Sequence, residues 1–171
     1  MLIEFGGLPG TGKSTLAAHL ADRTGAVLLR IDVIDAAMRR AGLTADQTGV
    51  AAYGVAHDLA AAHLKRGFTV IVDAVNPVEE ARAGWRALAE TEGARHLVIE
   101  TGCEDPAEHR RRATARDNDI ADWVYPSWEE IGRRRREYQP RHDERLLLDT
   151  TRPVGELHEE IDRYLTTTDQ R

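Results

Sequence analysis

Gly7-Leu8-Pro9-Gly10-Thr11-Gly12-Lys13-Ser14-Thr15 fits the pattern G-x-x-x-x-G-K-[S/T] at every fixed position. Each fixed position has a physical role. Glycines let the backbone curl so that successive N–H groups point inward at phosphate oxygens, and a helix opening near Lys13 adds the positive end of its dipole. The lysine ammonium reaches the terminal phosphates of a nucleotide, and the hydroxyl after it ligates Mg²⁺. The pattern carries this meaning only between a strand and a helix. Both are expected here: Leu2-Ile3-Glu4-Phe5 is short, apolar and bounded by Gly6-Gly7, while Leu16, Ala17, Leu20 and Ala21 recur at helical spacing. Residues 7–15 are therefore read as a nucleoside triphosphate site.

A chain of 171 residues fits a single domain over 1–171 with room for a sizeable core. Its hydrophobic share of 42% and charged share of 30% suit a soluble globular protein. No apolar run approaches the roughly 20 residues that cross a bilayer. Because the first strand begins almost at residue 1, no signal peptide is read, and the expected compartment is the cytoplasm. Cys103 is the only cysteine, which excludes an internal disulfide and a cysteine metal cluster. Lys13 and Lys65 are the only lysines, so nearly all of the 23 basic residues are arginine, a bias that reads as codon usage rather than chemistry. A net charge of −6 argues against a general nucleic-acid-binding surface, and neither a membrane nor a nucleic acid is the expected partner.

Further along, Ala26-Val27-Leu28-Leu29-Arg30-Ile31 reads as a buried parallel strand ending at Asp32. Ligands of open α/β sheets sit beyond the carboxyl ends of strands, which places Asp32 beside the phosphates. The competing reading is an N-cap for the helix through Ile34, Ala37 and Met38. A long helix is expected from about Asp46 to Lys65, with Val50, Tyr53, Ala56, Leu59, Ala60 and Leu64 on one broad face. Phe68-Thr69-Val70-Ile71-Val72-Asp73 is the clearest strand, and its last residue resembles a carboxylate that holds Mg²⁺ directly or through water. A helix from Pro77 carries Val78, Ala81, Trp85 and Leu88, with Trp85 read as core.

The fourth strand is His96-Leu97-Val98-Ile99-Glu100, and the next helix opens with Asp105 as N-cap and Pro106 at its first position. Arg110, Arg111, Arg112 and Arg116 lead into Asp117-Asn118-Asp119-Ile120-Ala121-Asp122-Trp123, a polar stretch without apolar period that suits a lid over about 116–126. Such arginines are commonly a solvated face. Delivered by a lid, Arg116 first and Arg112 second would stabilise charge on a transferred phosphoryl group. A helix from Pro126 through Tyr138, a fifth strand Leu146-Leu147-Leu148-Asp149 and a closing helix through Val154, Leu157, Ile161 and Leu165 complete the chain, with a frayed tail from Thr166. Residues 150–153, with Arg152, are the candidate adenine contact.

Five strands alternating with helices predict an α/β three-layer fold: a five-stranded parallel sheet with helices on both faces and an arginine-bearing lid. The chain has no N-K-x-D guanine-reading motif, which removes the GTPase reading and leaves a kinase ahead of a motor ATPase. GLPGTGKST, LLRIDVIDAAM, FTVIVDAVNP, CEDPAEHRRRATARDND and LLLDTT together resemble the small P-loop kinases grouped with chloramphenicol 3-O-phosphotransferase and related predicted, zeta-toxin-like kinases. The resemblance spans nearly the whole chain. It implies that Asp32 is the general base for an acceptor hydroxyl and that Arg112 and Arg116 are the lid arginines. Two positions depart from the pattern: Asn118 stands where a further lid arginine is usual, and Asp35 where many of these kinases carry arginine. The expected activity is ATP- and Mg²⁺-dependent phosphorylation of a hydroxyl on a small molecule, an antibiotic or other natural product among the candidates. Lys13, Asp32, Arg112 and Arg116 would be catalytic, and Ser14 and Asp73 would hold the metal. The alternatives are a nucleoside, nucleotide or polynucleotide 5′-hydroxyl kinase and, in another class, an ATP-binding regulatory module with slow hydrolysis.

Overall fold

A computed structural model describes residues 1–167. The elements are β1 (Leu2–Gly6), α1 (Lys13–Thr24), β2 (Val27–Arg30), α2 (Ile31–Arg40), α3 (Ala45–Leu64), β3 (Val70–Asp73), α4 (Glu79–Thr91), β4 (His96–Gly102), α5 (Pro106–Thr114), α6 (Trp128–Glu137), β5 (Leu146–Asp149) and α7 (Val154–Thr167). The strands form one parallel sheet in the order β2-β3-β1-β4-β5. The strand that feeds the glycine-rich loop is thus central.

Every residue of β1 is buried because helices cover both faces of the sheet. The pleat sorts its side chains. Leu2 joins Leu29, Val70 and Val72 under Ala52, Ala56 and Ala60 of α3 and Trp85 of α4. Ile3 and Phe5 face the other way with Ile71, Ile99 and Leu148, against Leu16 and Leu20 of α1 and Leu157 and Ile161 of α7. Each large apolar side chain so buried contributes about 1.5–3 kcal/mol, which makes these two clusters the main support of the site above them.

Local rules set several boundaries. Asp105 caps α5, its side chain accepting from the Ala107 and Glu108 N–H groups, and Pro106 follows at the first position as expected. Ser127 and Glu130 form a reciprocal capping box on α6, so that helix starts two residues later than Pro126 suggests. Three expectations need correction. The buried face of α3 is Thr48, Ala52, Ala56, Ala60 and Leu64, whereas Val50 is 88% exposed and Leu59 41%. Small alanines every fourth residue fit closely on the sheet, while Val50 and Leu59 point elsewhere. Strand β2 stops at Arg30, so Asp32 is neither the strand end nor the N-cap but the second residue of α2. Residues 166 and 167 close α7, while the rest of the tail lies outside the described residues.

One face of the sheet also carries buried charge. Glu4, fully enclosed in β1, accepts from Arg141 Nη1 at 2.9 Å and from Asn76 Nδ2 at 2.9 Å, with His96 Nε2 at 3.2 Å. Glu100 of β4 accepts from Tyr138 and Arg145. These bonds tie the segment after α6 across β1 and β4, satisfying carboxylates that burial alone would penalise.

Candidate active site

Gly7 leaves β1 with φ 126°, and a Cβ there would come within 2.4 Å of the Thr101 carbonyl. Only glycine fits that turn. Beyond it Thr11 Oγ1 lies 2.8 Å from both the Leu8 carbonyl and Thr101 Oγ1, coupling the loop to the end of β4. At Gly10 a Cβ would meet Ala113 Cβ of α5 at 3.0 Å, so α5 lies directly against the loop. Helix α1 then opens at Gly12 with no side-chain cap, leaving its first-turn N–H groups free for an anion.

Sequence reasoning passes over a second clamp on this loop. His109 of α5 is 1% exposed, its Nε2 2.8 Å from the Pro9 carbonyl and its Nδ1 2.9 Å from Arg135 Nη2. A guanidinium can only donate, so Nδ1 accepts and Nε2 carries the hydrogen donated to Pro9. Burial holds this histidine below its ordinary range and the charges of Arg135 and Arg112 add to that, against an opposing effect of the Pro9 bond. The spacing of α5 could have shown that His109 shares a side with Arg112, one turn away, but nothing local announces its partners.

Lys13 and Asp73 meet beneath the loop. Their side chains are 5% and 4% exposed, with Nζ and Oδ1 3.6 Å apart. Arg30 and Asp73 are lateral partners in the β2–β3 ladder, which brings Arg30 Nε to 3.3 Å from Asp73 Oδ2. Asp73 Oδ1 is buried and has no hydrogen-bond partner. An orphaned carboxylate oxygen close to Lys13, next in sequence to the Ser14 hydroxyl, fits a hard divalent cation that takes oxygen ligands. No group of three or more His, Cys, Asp or Glu side chains suited to a metal occurs among the described residues.

The cleft over the loop, about 520 Å³, is lined by Gly10, Gly12, Lys13, Ser14 and Thr15 together with Arg30, Arg112, Arg116 and Asp119. Five of the nine predicted loop residues and both predicted lid arginines thus line one cleft. Arg112 donates to the Thr150 carbonyl at 3.0 Å and to Glu108 at 2.6 Å, bridging α5 to the exit of β5. Arg116 stacks its guanidinium 3.8 Å over the Tyr125 ring and lies 3.5 Å from Asp119. Gly7, Leu8 and Thr11 line a neighbouring cavity of about 460 Å³ with Thr101, His109 and Tyr138. Arg152 is bound by Glu160 at 2.7 Å and Glu156 at 3.3 Å, along α7 rather than in the cleft.

The loop between α5 and α6 docks on α2 and the end of β2. Asp119 accepts from Arg30 Nη1 at 2.7 Å, Arg40 donates to the Ala121 carbonyl at 2.8 Å, and Arg39 lies 4.8 Å over the Trp123 ring. Burial opposes the charge of Asp119, but hydrogen bonds from Arg30 and Tyr125 outweigh it and bring the carboxyl to about 2. Asn118 donates to the Trp123 carbonyl at 2.9 Å and accepts from Ile120 N–H at 3.2 Å, so the residue that departs from the pattern here staples the loop to itself. Asp35, the other departure, chelates Arg39 at 2.7 and 3.1 Å. Asp32, half-buried in the first turn of α2, lies outside the lining of the cleft, near enough to Tyr53 of α3 for its charge to act there; burial first, then the charges of Asp32, Glu4 and Asp73, push that phenol up to about 12. The Tyr53 hydroxyl accepts from Asn76 N–H at 3.3 Å, a residue held at φ 50°. Arg82, fully buried, donates to the carbonyls of Asn76, Pro77, Gln139 and Pro140 and so fixes the loop after β3.

A family model described as an AAA domain, AAA_33, matches residues 2–140. No curated protein matches the sequence. Among solved structures, a proposed kinase from Chloroflexus aurantiacus is 21% identical with a TM-score of 0.76, over 97% of this chain and 96% of that one. A sugar kinase from Janibacter sp. is 17% identical with a TM-score of 0.72, over 96% and 94%. The APS kinase CysC of Mycobacterium tuberculosis, in complex with AMPPNP and APS, is 22% identical with a TM-score of 0.62, over 96% of both chains. At these identities the likeness is one of fold, and the fold is that of P-loop kinases.

Proposed function

This chain belongs to the AAA_33 family, and from that premise we propose that it is an ATP- and Mg²⁺-dependent kinase whose acceptor is a hydroxyl of a small molecule. Residues 1–171 would be one kinase domain with its lid at about 116–126, working in the cytoplasm among chloramphenicol-phosphotransferase-like and zeta-toxin-like relatives. The carrying observation is the convergence of Lys13, Ser14, Arg112 and Arg116 on one cleft, over a buried Asp73 with an oxygen that makes no hydrogen bond. Two arginines lining the cleft beside Lys13 support phosphoryl transfer over a slow-hydrolysing regulatory module, and the acidic balance disfavours a polynucleotide.

In this mechanism the loop N–H groups and the open N-terminus of α1 bind the phosphates, and Lys13 leaves its pair with Asp73 to reach the terminal ones. Ser14 and Asp73 would hold Mg²⁺, which when bound neutralises charge on the phosphates. Asp32 orients the acceptor O–H and takes its proton as the oxygen bonds to the γ-phosphorus. The bond from that phosphorus to the β,γ-bridging oxygen breaks, and the electron pair leaves with ADP. Arg112 and Arg116 spread over the charge of the group in flight, a role that needs placement more than strong basicity. Docking of the lid on α2 excludes water from the transfer.

Acceptor-stimulated ADP release, followed with Mg·ATP across sugars, nucleosides and hydroxylated antibiotics, tests this reading. One class should raise the rate well above the basal hydrolysis. Uniform basal hydrolysis with every class, and unaltered by Lys13→Ala, would contradict it.

A further inference from the structure

Two of the three nitrogens of Arg30 make no hydrogen bond. Nε and Nη2 are both buried, Nε with only a longer ionic contact to Asp73 at 3.3 Å, while Nη1 is engaged by Asp119 of the lid loop at 2.7 Å. The side chain is 17% exposed, at the carboxyl end of β2, and lines the same cleft as Lys13, Ser14 and Arg116. A guanidinium is always charged and cannot relieve burial by losing its proton, so silent buried donors on it are expected only where an anionic acceptor will arrive. Its neighbours do not supply one in full. Asp73 is shared with Lys13, and Asp119 is shared with Arg116 and Tyr125. The cleft lining carries Lys13, Arg30, Arg111, Arg112 and Arg116 against Asp117 and Asp119, an excess of positive charge.

We propose that Arg30 is a further catalytic arginine, whose Nε and Nη2 donate to non-bridging oxygens of the terminal phosphate, and that Asp119 positions it when the lid docks. This rests on the kinase reading above. During transfer Arg30 neither gains nor loses a proton: the acceptor proton goes to Asp32, the acceptor oxygen bonds to phosphorus, and ADP leaves with the bridging oxygen. Two donors presented as a fork match two oxygens of a phosphoryl group, a geometry that lysine cannot copy. The coupling to Asp119 gives the lid a second function beside carrying Arg116. An undocked lid would leave Arg30 untethered and the site incomplete.

The test compares affinity for AMPPNP with affinity for ADP, both with Mg²⁺, by titration calorimetry on wild type, Arg30→Gln, Arg30→Lys and Asp119→Asn. Wild type should prefer AMPPNP to ADP. Losing charged hydrogen bonds to the terminal phosphate should weaken AMPPNP roughly tenfold or more in Arg30→Gln, while ADP changes little. Arg30→Lys should recover part of the preference, and Asp119→Asn should lose part of it. Equal loss of both nucleotides in Arg30→Gln, or an unchanged ratio, would make Arg30 a structural residue and overturn the proposal. Should Arg30→Gln fail to fold, the ratio in Arg30→Lys and Asp119→Asn decides in the same way. A wild type that binds neither nucleotide would instead remove the kinase reading, and this inference with it.

Discussion

Asp73 Oδ1 lies 3.6 Å from Lys13 Nζ, so the carboxylate proposed to hold the metal and the lysine proposed to bind the phosphates form an ion pair with each other. The proposed mechanism requires nucleotide to separate them. Asp73→Asn should keep nucleotide binding but weaken the metal, by about ten- to a hundredfold on the scale seen when support of a metal site is removed. Electron paramagnetic resonance of Mn²⁺ added with AMPPNP reads this directly. Unchanged Mn²⁺ affinity would move the metal to other groups.

His109 makes stability depend on pH in a stated direction. The folded protein holds it neutral, below its ordinary value of 6.5, and His57 and His158 are lowered in the same sense. As pH falls below 6.5 the unfolded chain binds protons that the folded chain refuses, so stability falls, with a limit of about 1.4 kcal/mol per pH unit for each such group. The loss is complete once pH passes below the folded value. His109→Gln, which keeps a donor for the Pro9 carbonyl, should flatten that decline as pH is lowered through 6.5 in urea unfolding. A slope identical to wild type would show that His109 titrates alike in both states.

The glycine-rich loop, the five strands and the position of Arg112 and Arg116 beside that loop are legible in the sequence because each is a local pattern: fixed spacing, a short apolar run, a run of like charge. Asp73 is legible for the same reason, being the last residue of the best strand. Arg30 is not, since its role comes from lying beside Asp73 in the sheet register and below Asp119, which is 89 positions away. His109, Glu4 and Arg82 are hidden likewise, their partners being supplied by distant segments. The face of α3 is misread from sequence because alanine carries a weak hydropathy signal yet packs more closely than valine or leucine. Arg152 is placed by loop position alone, and the acids of α7 take its charge instead.

Glu4 and Arg141 offer a test of what holds the top of the sheet. Both are buried, at 0% and 1% side-chain exposure, and 2.9 Å apart. Arg141→Ala leaves the buried Glu4 carboxylate with only Asn76 and His96 beside it, and should cost about 3–5 kcal/mol in denaturant unfolding. Replacing both, as Glu4→Leu with Arg141→Met, should recover much of that loss, because an apolar pair has no charge to desolvate. A double variant as unstable as the single one would assign the cost to packing around Arg141.

The central claim, transfer of a phosphoryl group to a small-molecule hydroxyl with Asp32 as base, is tested most directly by mass spectrometry of a pooled hydroxyl panel incubated with Mg·ATP and either wild type or Asp32→Asn. The account predicts a product one phosphoryl group heavier with wild type, and a rate lower by roughly two to four orders of magnitude with Asp32→Asn at unchanged ATP affinity. Equal product from both proteins would remove Asp32 from the chemistry. No product from either, with ATP bound and slowly hydrolysed alike by both, would contradict the kinase and favour a nucleotide-binding module.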